Sequence, residues 1–134
     1  MKLQVGVKVL IKNKSGAFLF LQRSNSISTD STETSWDIPG GRINTGEQLL
    51  DALYREVLEE IGSDIQSSPQ LIAAQDIIIP AKDLHVIRLT YVLEADISNI
   101  KLSHEHIDYK WVMSNQFESI NVEPYLRKVL QEIR

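Results

Sequence analysis

Residues 40–63 read GGRINTGEQLLDALYREVLEEIGS and hold the densest group of chemically reactive side chains in the sequence. Apolar residues recur here at steps of three and four, which gathers them on one side of a helix and predicts that this side faces a core. They are Leu49, Leu50, Leu53, Val57 and Ile61. A helix is therefore expected from near Gly46, with Thr45 and Gln48 as a capping box, and Gly62 is expected to end it.

Three glutamates, Glu56, Glu59 and Glu60, fall together on an adjoining side of this helix, because residues three and four apart are helical neighbours. Like charges at these spacings cost a helix roughly a few tenths of a kcal/mol per pair, so they need solvent or a cation. Carboxylate oxygens suit Mg²⁺ or Mn²⁺, which keep several waters and bridge to phosphates. The patch is either a solvated acidic helix face or a site for a divalent metal ion.

The flanking residues favour the metal site. The segment Trp36–Gly41 reads WDIPGG, and its paired glycines permit a tight turn and a close approach of the backbone to a ligand. From Gly41 onward the pattern is G-x5-E-x7-REV-x-EE-x-G, with Glu47 as its first glutamate. This pattern resembles the Nudix box, the signature of the Nudix hydrolases, at every fixed polar and glycine position. Ser63 departs from it, since the family usually has an aliphatic residue there, and Ile65 follows two positions later.

The resemblance implies a Nudix fold, which is a three-layer α/β/α sandwich around a mixed β-sheet, over residues 1–134 as a single domain with the box at 41–63. Alternating or continuous apolar patterns predict strands, and a three-to-four-residue period predicts a closing helix. The predicted strands are 3–11, 17–22, 71–79, 84–93 and 109–113, and the helix is 125–133. Two such helices can cover the two faces of one sheet.

The resemblance also implies a set of metal ligands for Mg²⁺ or Mn²⁺. Glu56, Glu59 and Glu60 match the carboxylates of the box, and the carbonyl of Gly41, or of Gly40, is a further candidate. A carboxylate outside the box is commonly recruited in this family, and Glu105, six residues before a tryptophan, is expected to be that ligand or the general base. Glu56 and Glu105 are the two contenders for the base, and Asp108 is the alternative to Glu105.

Other site residues follow from the same resemblance. Arg55 and Glu47 match positions that chiefly brace the site, where Arg55 serves catalysis by holding the acidic side chains in place. Arg23 is expected to reach the substrate phosphates, and Asn121 to help read a purine. His104 and His106 have a spacing that suits a metal, but without further nitrogen or sulfur ligands they are expected to be exposed.

Composition narrows the class of protein further. The formal net charge of −4 disfavours a nucleic-acid-binding surface, and the absence of cysteine excludes disulfides and thiolate catalysis. No apolar run approaches membrane-spanning length, so no membrane association and a cytoplasmic location are expected.

The resemblance implies hydrolysis of a nucleoside diphosphate linked to another group X. The layout is similar to MutT-type (d)NTP pyrophosphohydrolases, which predicts release of a nucleoside monophosphate and pyrophosphate. ADP-ribose, another nucleotide sugar or a dinucleoside polyphosphate are alternative substrates. A non-catalytic nucleotide sensor and a plain α/β interaction domain are alternatives of other classes. The Ser24–Ser35 loop is either a linker or one lip of the substrate cleft, and dimers are common in the family.

Overall fold

The structure, a computed structural model, describes residues 1–24 and 35–133. Most of the predicted Ser24–Ser35 loop therefore lies outside the described residues. The strands are β1 (Lys2–Lys12), β2 (Phe18–Arg23), β3 (Trp36–Asp37), β4 (Gly40–Arg42), β5 (Gln70–Ile79), β6 (Leu84–Glu94) and β7 (His106–Val112), and the helices are α1 (Leu49–Ile61) and α2 (Pro124–Glu132). Short 3₁₀ turns occupy Pro80–Lys82 and Ser114–Ser119. Within the described ranges, no helix combines the length and apolarity needed to cross a membrane.

Strand β1 lies at the centre of the sheet. It pairs in parallel with β6 along its whole length, and β6 turns back antiparallel into β5. Strand β2 meets β1 antiparallel at Lys12 and Phe18, then pairs with β3 and β7. The short β4 pairs with β1 between Gly6 and Lys8, where it brings Gly40 and Gly41 to the middle of the sheet. The predicted mixed sheet is confirmed.

The two helices cover opposite faces of this sheet, which confirms the three-layer arrangement. Along β1, Val7, Val9 and Ile11 join the core formed with α1, whereas Leu10 joins the core formed with α2. Most of β1 alternates between apolar residues and others, and only Val9, Leu10 and Ile11 form a consecutive run that is apolar and buried. Ile65, which follows the helix, is buried against α1 and supplies apolar contact close to the position where the family usually has an aliphatic residue.

The predicted start of the first helix is wrong, whereas its end is confirmed. The helix begins at Leu49, with no side-chain capping bond at Gln48, because residues 44–47 form a separate turn. In that turn the Glu47 N–H donates to the Asn44 carbonyl at 2.9 Å, and the Asn44 N–H donates to the Glu47 carboxylate at 2.9 Å. Gly62 ends the helix with φ of 72°, donating its N–H to Leu58.

Candidate active site

A cavity of about 1100 Å³ opens beside the β4 glycines, between the carboxylates of α1 and the ends of β2 and β7. Its walls carry carboxylates (Glu56, Glu60, Glu105 and Asp37), cationic groups (Lys8, Arg23, Arg42 and Lys82) and two histidines (His104 and His106). Cationic and anionic groups that face one open space suit an anionic ligand accompanied by a cation.

Glu60 is the most deeply buried acidic side chain of α1, at 7% exposure. Its Oε1 accepts a hydrogen bond of 2.9 Å from the Gly40 N–H. Burial raises the pKa of Glu60 to about 7; the Gly40 N–H and Lys8 act in the opposite direction, and Glu56 adds to the rise. A carboxylate desolvated in this way favours uptake of a proton or of another cation.

The pKa of Glu60 predicts a pH-dependent stability difference in metal-free protein. Since the pKa is raised on folding, the folded state binds the extra proton, and stability falls as pH rises from about 4.5 toward 7. A glutamine at position 60 cannot ionise, so Glu60→Gln does not lose stability in this way. With EDTA present, the free energy of unfolding of the variant should therefore match that of wild type near pH 4.5 and exceed it by up to about 3 kcal/mol at pH 8. Urea titrations across this range measure the gap, and a pH-independent gap would contradict the assignment.

The two glycines of β4 shape the floor of the cavity around Glu56. A Cβ on Gly41 would overlap the Glu56 carboxylate, so only glycine lets this carboxylate lie against the backbone. Gly40 has a φ of 145°, and a Cβ there would run into the Val7 carbonyl of β1. The backbone of Gly41 therefore lies directly against the Glu56 carboxylate.

Arg55 braces three acidic side chains at once. It makes a two-point contact with Glu47: its Nε donates to Glu47 Oε2 at 2.7 Å, and its Nη2 donates to Glu47 Oε1 at 3.0 Å. Its Nη1 donates to Glu56 Oε2 at 2.7 Å and to Glu59 Oε1 at 3.3 Å. The Nη2 group also donates to the Arg42 carbonyl. Hydrogen bonds to Glu47 and Glu56 raise the pKa of Arg55 further above its usual range. These contacts place Arg55 between Glu47, Glu56 and Glu59.

The predicted metal ligands are brought together only in part. Glu56, Glu60, Gly41 and Glu105 line the cavity, whereas Glu59 is outside its described lining, with 56% of its side chain exposed and Arg55 as its partner. In residues 1–24 and 35–133, no three or more acidic or histidine side chains already stand in a metal-binding arrangement. The carboxylates therefore share one region without forming a closed cage.

Of the predicted substrate contacts, Arg23 lies at the cavity and Asn121 does not. Arg23 ends β2, where a bulge after Gln22 shifts the pairing with β7, and its side chain is 61% exposed. Such a bulge re-aims the side chain beside it. Asn121 is exposed outside the described lining, where its carbonyl accepts the Trp36 N–H at 2.8 Å.

The segment before β7 holds the remaining predicted residues. Asp108 does not line the cavity in the described part of the chain, whereas Glu105 does. His104 is exposed as expected, but the expectation for His106 is wrong, since it is half-buried. Its Nδ1 is buried and meets no hydrogen-bond partner among the described atoms. The strand starts earlier than predicted, at His106, which turns this side chain toward the cavity.

Sequence reasoning missed a buried ion pair at the cavity. Lys8 Nζ lies 2.9 Å from Asp37 Oδ2, and the two side chains are 15% and 12% exposed. Burial alone would raise the pKa of Asp37, but Lys8, with help from Arg23, lowers it below the usual value. A signal was available, because Lys8 stands between Val7 and Val9, and Asp37 between Trp36 and Ile38. Opposite charges inside two buried strands predict a pair.

Comparisons with known proteins agree with this fold. The NUDIX domain family model matches residues 2–133. The MutT protein from Methanosarcina mazei superposes with a TM-score of 0.81 at 28% identity, over 97% of this chain and 91% of that one. The MutT NUDIX hydrolase from Burkholderia pseudomallei gives 0.82 at 20% identity over the full length of both chains, and at that identity it supports the fold alone.

Curated relatives match over a shorter stretch. The RNA pyrophosphohydrolase of Francisella tularensis subsp. mediasiatica is 34% identical over 73 residues, which is 54% of this chain and 43% of that protein. The one of Actinobacillus pleuropneumoniae serotype 5b is 39% identical over 56 residues, or 42% and 24% of the two chains. The matches thus span less than half the length of these relatives.

Because the family model covers almost the whole chain, this protein belongs to the Nudix hydrolase family. Members of the family generally use a divalent metal ion.

Proposed function

We propose that this chain hydrolyses a diphosphate bond in a nucleoside diphosphate linked to another group, with a (d)NTP as the first candidate substrate. The products would then be a nucleoside monophosphate and pyrophosphate. The observation that carries the proposal is the cavity that Glu56, Glu60 and Glu105 line together with Arg23 and other cationic side chains. A single domain over residues 1–134 is part of the proposal.

The residues at the β4–α1 junction fit a divalent metal ion. Glu60 is a carboxylate whose pKa is raised by burial, and the absence of a side chain on Gly41 leaves room for the Glu56 carboxylate beside the backbone. We assign Glu56, Glu60 and the Gly41 carbonyl as ligands for Mg²⁺ or Mn²⁺, with Glu105, which lines the same cavity, and Glu59 after release from Arg55. Such an ion would neutralise phosphate oxygens and polarise the attacking water.

The chain's own side chains then handle the proton and the phosphates. Water attacks a phosphorus of the diphosphate, the bond from that phosphorus to the bridging oxygen breaks, and a carboxylate accepts the proton from water. Glu105 is the better candidate base, because Arg55 already holds Oε2 of Glu56 at 2.7 Å. Arg23, Lys82 and Arg42 are placed to offset phosphate charge, which matters in a chain of net charge −4.

A nucleotide panel tests this function. The common ribo- and deoxyribonucleoside triphosphates, ADP-ribose, a nucleotide sugar and a dinucleoside polyphosphate are incubated with Mg²⁺, Mn²⁺ or EDTA. A 5′-triphosphorylated RNA is included, because curated relatives are named RNA pyrophosphohydrolases. We expect metal-dependent release of a nucleoside monophosphate with pyrophosphate from at least one triphosphate, measured by chromatography of both products.

The panel also separates the alternatives. If ADP-ribose, a nucleotide sugar, a dinucleoside polyphosphate or the RNA is cleaved instead, the chemistry stands and the (d)NTP assignment is replaced. If no compound is cleaved but calorimetry shows metal-dependent nucleotide binding, the chain is a sensor. If neither cleavage nor metal binding occurs, the acidic helix face is a solvated surface. Light scattering on the same sample reports whether the chain forms a homodimer.

A further inference from the structure

The Lys8–Asp37 ion pair joins the middle of β1 to Asp37, which stands three residues before the first glycine of β4. Lys8 Nζ donates to Asp37 Oδ2 at 2.9 Å and to the Ile38 carbonyl at 3.3 Å. The second oxygen of Asp37 accepts the Ile38 N–H at 2.8 Å. One lysine side chain thus holds both a side chain and a backbone carbonyl of residues 37–38.

The same segment continues into the metal-site residues. The Val9 N–H donates to the Pro39 carbonyl at 2.9 Å, and Gly40 stands opposite Lys8 in the β1–β4 ladder. The Gly40 N–H in turn holds Glu60 at 2.9 Å. Lys8 and the buried carboxylate of Glu60 are therefore linked by two hydrogen bonds, one at Ile38 and one at Gly40, that the backbone of residues 38–40 connects.

Asp37 also connects these contacts to the end of β2. Its Oδ2 lies 3.7 Å from the Nε of Arg23, the cation at the end of β2. Asp37 therefore contacts two cationic side chains: Lys8, which holds residues 37–38, and Arg23, which is proposed to bind the substrate phosphates.

We propose that Lys8 and Asp37 are positioning residues for hydrolysis. Their ion pair fixes the position of residues 37–41, so that the Gly41 carbonyl and Glu60, which Gly40 binds, are both placed to coordinate the metal ion. This inference rests on the proposed function and deepens it. Neither residue needs to touch the reacting atoms. Groups that orient metal ligands typically change metal affinity or activity by about 10- to 100-fold when removed.

A purely structural role makes a different prediction. Breaking a buried ion pair by removing one partner destabilises a protein, because the other charge is left uncompensated, whereas replacing both partners by neutral groups is often nearly neutral. If the pair served stability alone, the double replacement would restore both the melting temperature and the activity. If it positions the glycine segment, the double replacement restores stability without restoring activity.

The test compares Lys8→Met, Asp37→Asn and the double variant with wild type. For each we measure the melting temperature, Mn²⁺ affinity by calorimetry, and kcat and KM on the substrate that the nucleotide panel identifies. We expect the double variant to melt near the wild-type temperature, to bind Mn²⁺ about 10-fold more weakly and to lose about 10- to 100-fold in kcat with little change in KM.

The Arg88–Glu123 pair is a matched control. Arg88 Nη1 lies 2.8 Å from Glu123 Oε1, and both side chains are partly buried. This pair joins β6 to the start of α2, and neither residue belongs to the described lining of the cavity. Arg88→Met with Glu123→Gln should leave Mn²⁺ affinity and kcat unchanged. An equal loss in this control would show that any weakened ion pair impairs the enzyme, and would overturn the proposal.

The remaining outcomes are equally decisive. A double variant with wild-type kcat and Mn²⁺ affinity overturns the positioning role and leaves the proposed function standing. A rise in KM alone would make Lys8 a direct substrate contact and would also overturn it. If wild type itself neither binds Mn²⁺ nor cleaves any substrate, the proposed function fails first and this inference fails with it.

Discussion

Glu60→Gln is expected to lower metal-dependent turnover by roughly 1,000-fold, equal to about 4 kcal/mol of transition-state stabilisation, while the protein stays folded. Glu60 is buried at 7% exposure beside Gly40, and its glutamine analogue can still accept the Gly40 N–H. What the analogue lacks is the negative charge that would bind the metal ion. Steady-state kinetics with Mg²⁺, together with a melting curve, measure both effects.

Asp51→Asn is the matched control for this substitution. Asp51 is an exposed carboxylate in the first turn of the same helix and does not line the cavity in the described ranges. Its change to the amide removes one carboxylate from α1, as Glu60→Gln does, but at a position outside the described lining of the cavity. Equal activity losses in the two variants, or wild-type turnover in Glu60→Gln, would contradict the role assigned to Glu60.

Gly40→Ala is expected to destabilise the fold by about 3–4 kcal/mol, which is a large share of the stability of a small domain. Two costs combine in this variant. A φ of 145° strains any residue with a Cβ, and the added carbon would run into the Val7 carbonyl in the middle of the sheet. Strand β4 would have to leave β1. Urea denaturation followed by circular dichroism measures the loss of stability.

Gly46→Ala separates these two costs. Gly46 also has a positive φ, of 88°, but nothing lies within 4 Å of a Cβ placed on it. Only the backbone strain remains, so a loss of about 1 kcal/mol is expected. Comparable losses at both glycines would show that the contact with Val7 is unimportant.

Most of the fold was predictable because its signals are local and repeat along the chain. Apolar residues at helical spacing indicated α1, and Gly62 indicated its end. The start of α1 was not predictable in the same way. Glu47 is held by Arg55, eight residues later, and this contact favours a turn over residues 44–47 where the sequence alone suggested a capped helix.

The candidate site was likewise predictable only where its signals are local in sequence. The spacing of the box pointed to Glu56, Glu60 and the glycines Gly40 and Gly41, all of which line the cavity. Asn121 was predicted as a substrate contact from its neighbours in sequence, but it lies outside the described lining of the cavity. Glu59 satisfies the spacing, but its side chain is 56% exposed, contacts Arg55 at 3.3 Å and lies outside the described lining of the cavity.

The sequence by itself determined the family, the layered sheet and the group of carboxylates, because these depend on residue types at fixed short spacings. Only the tertiary structure decided that Lys8 pairs with Asp37 and that His106 turns inward. The ion pair joins residues 29 positions apart that become neighbours through the pairing of separate strands. Short-range periodicity carries no information about a contact of this kind.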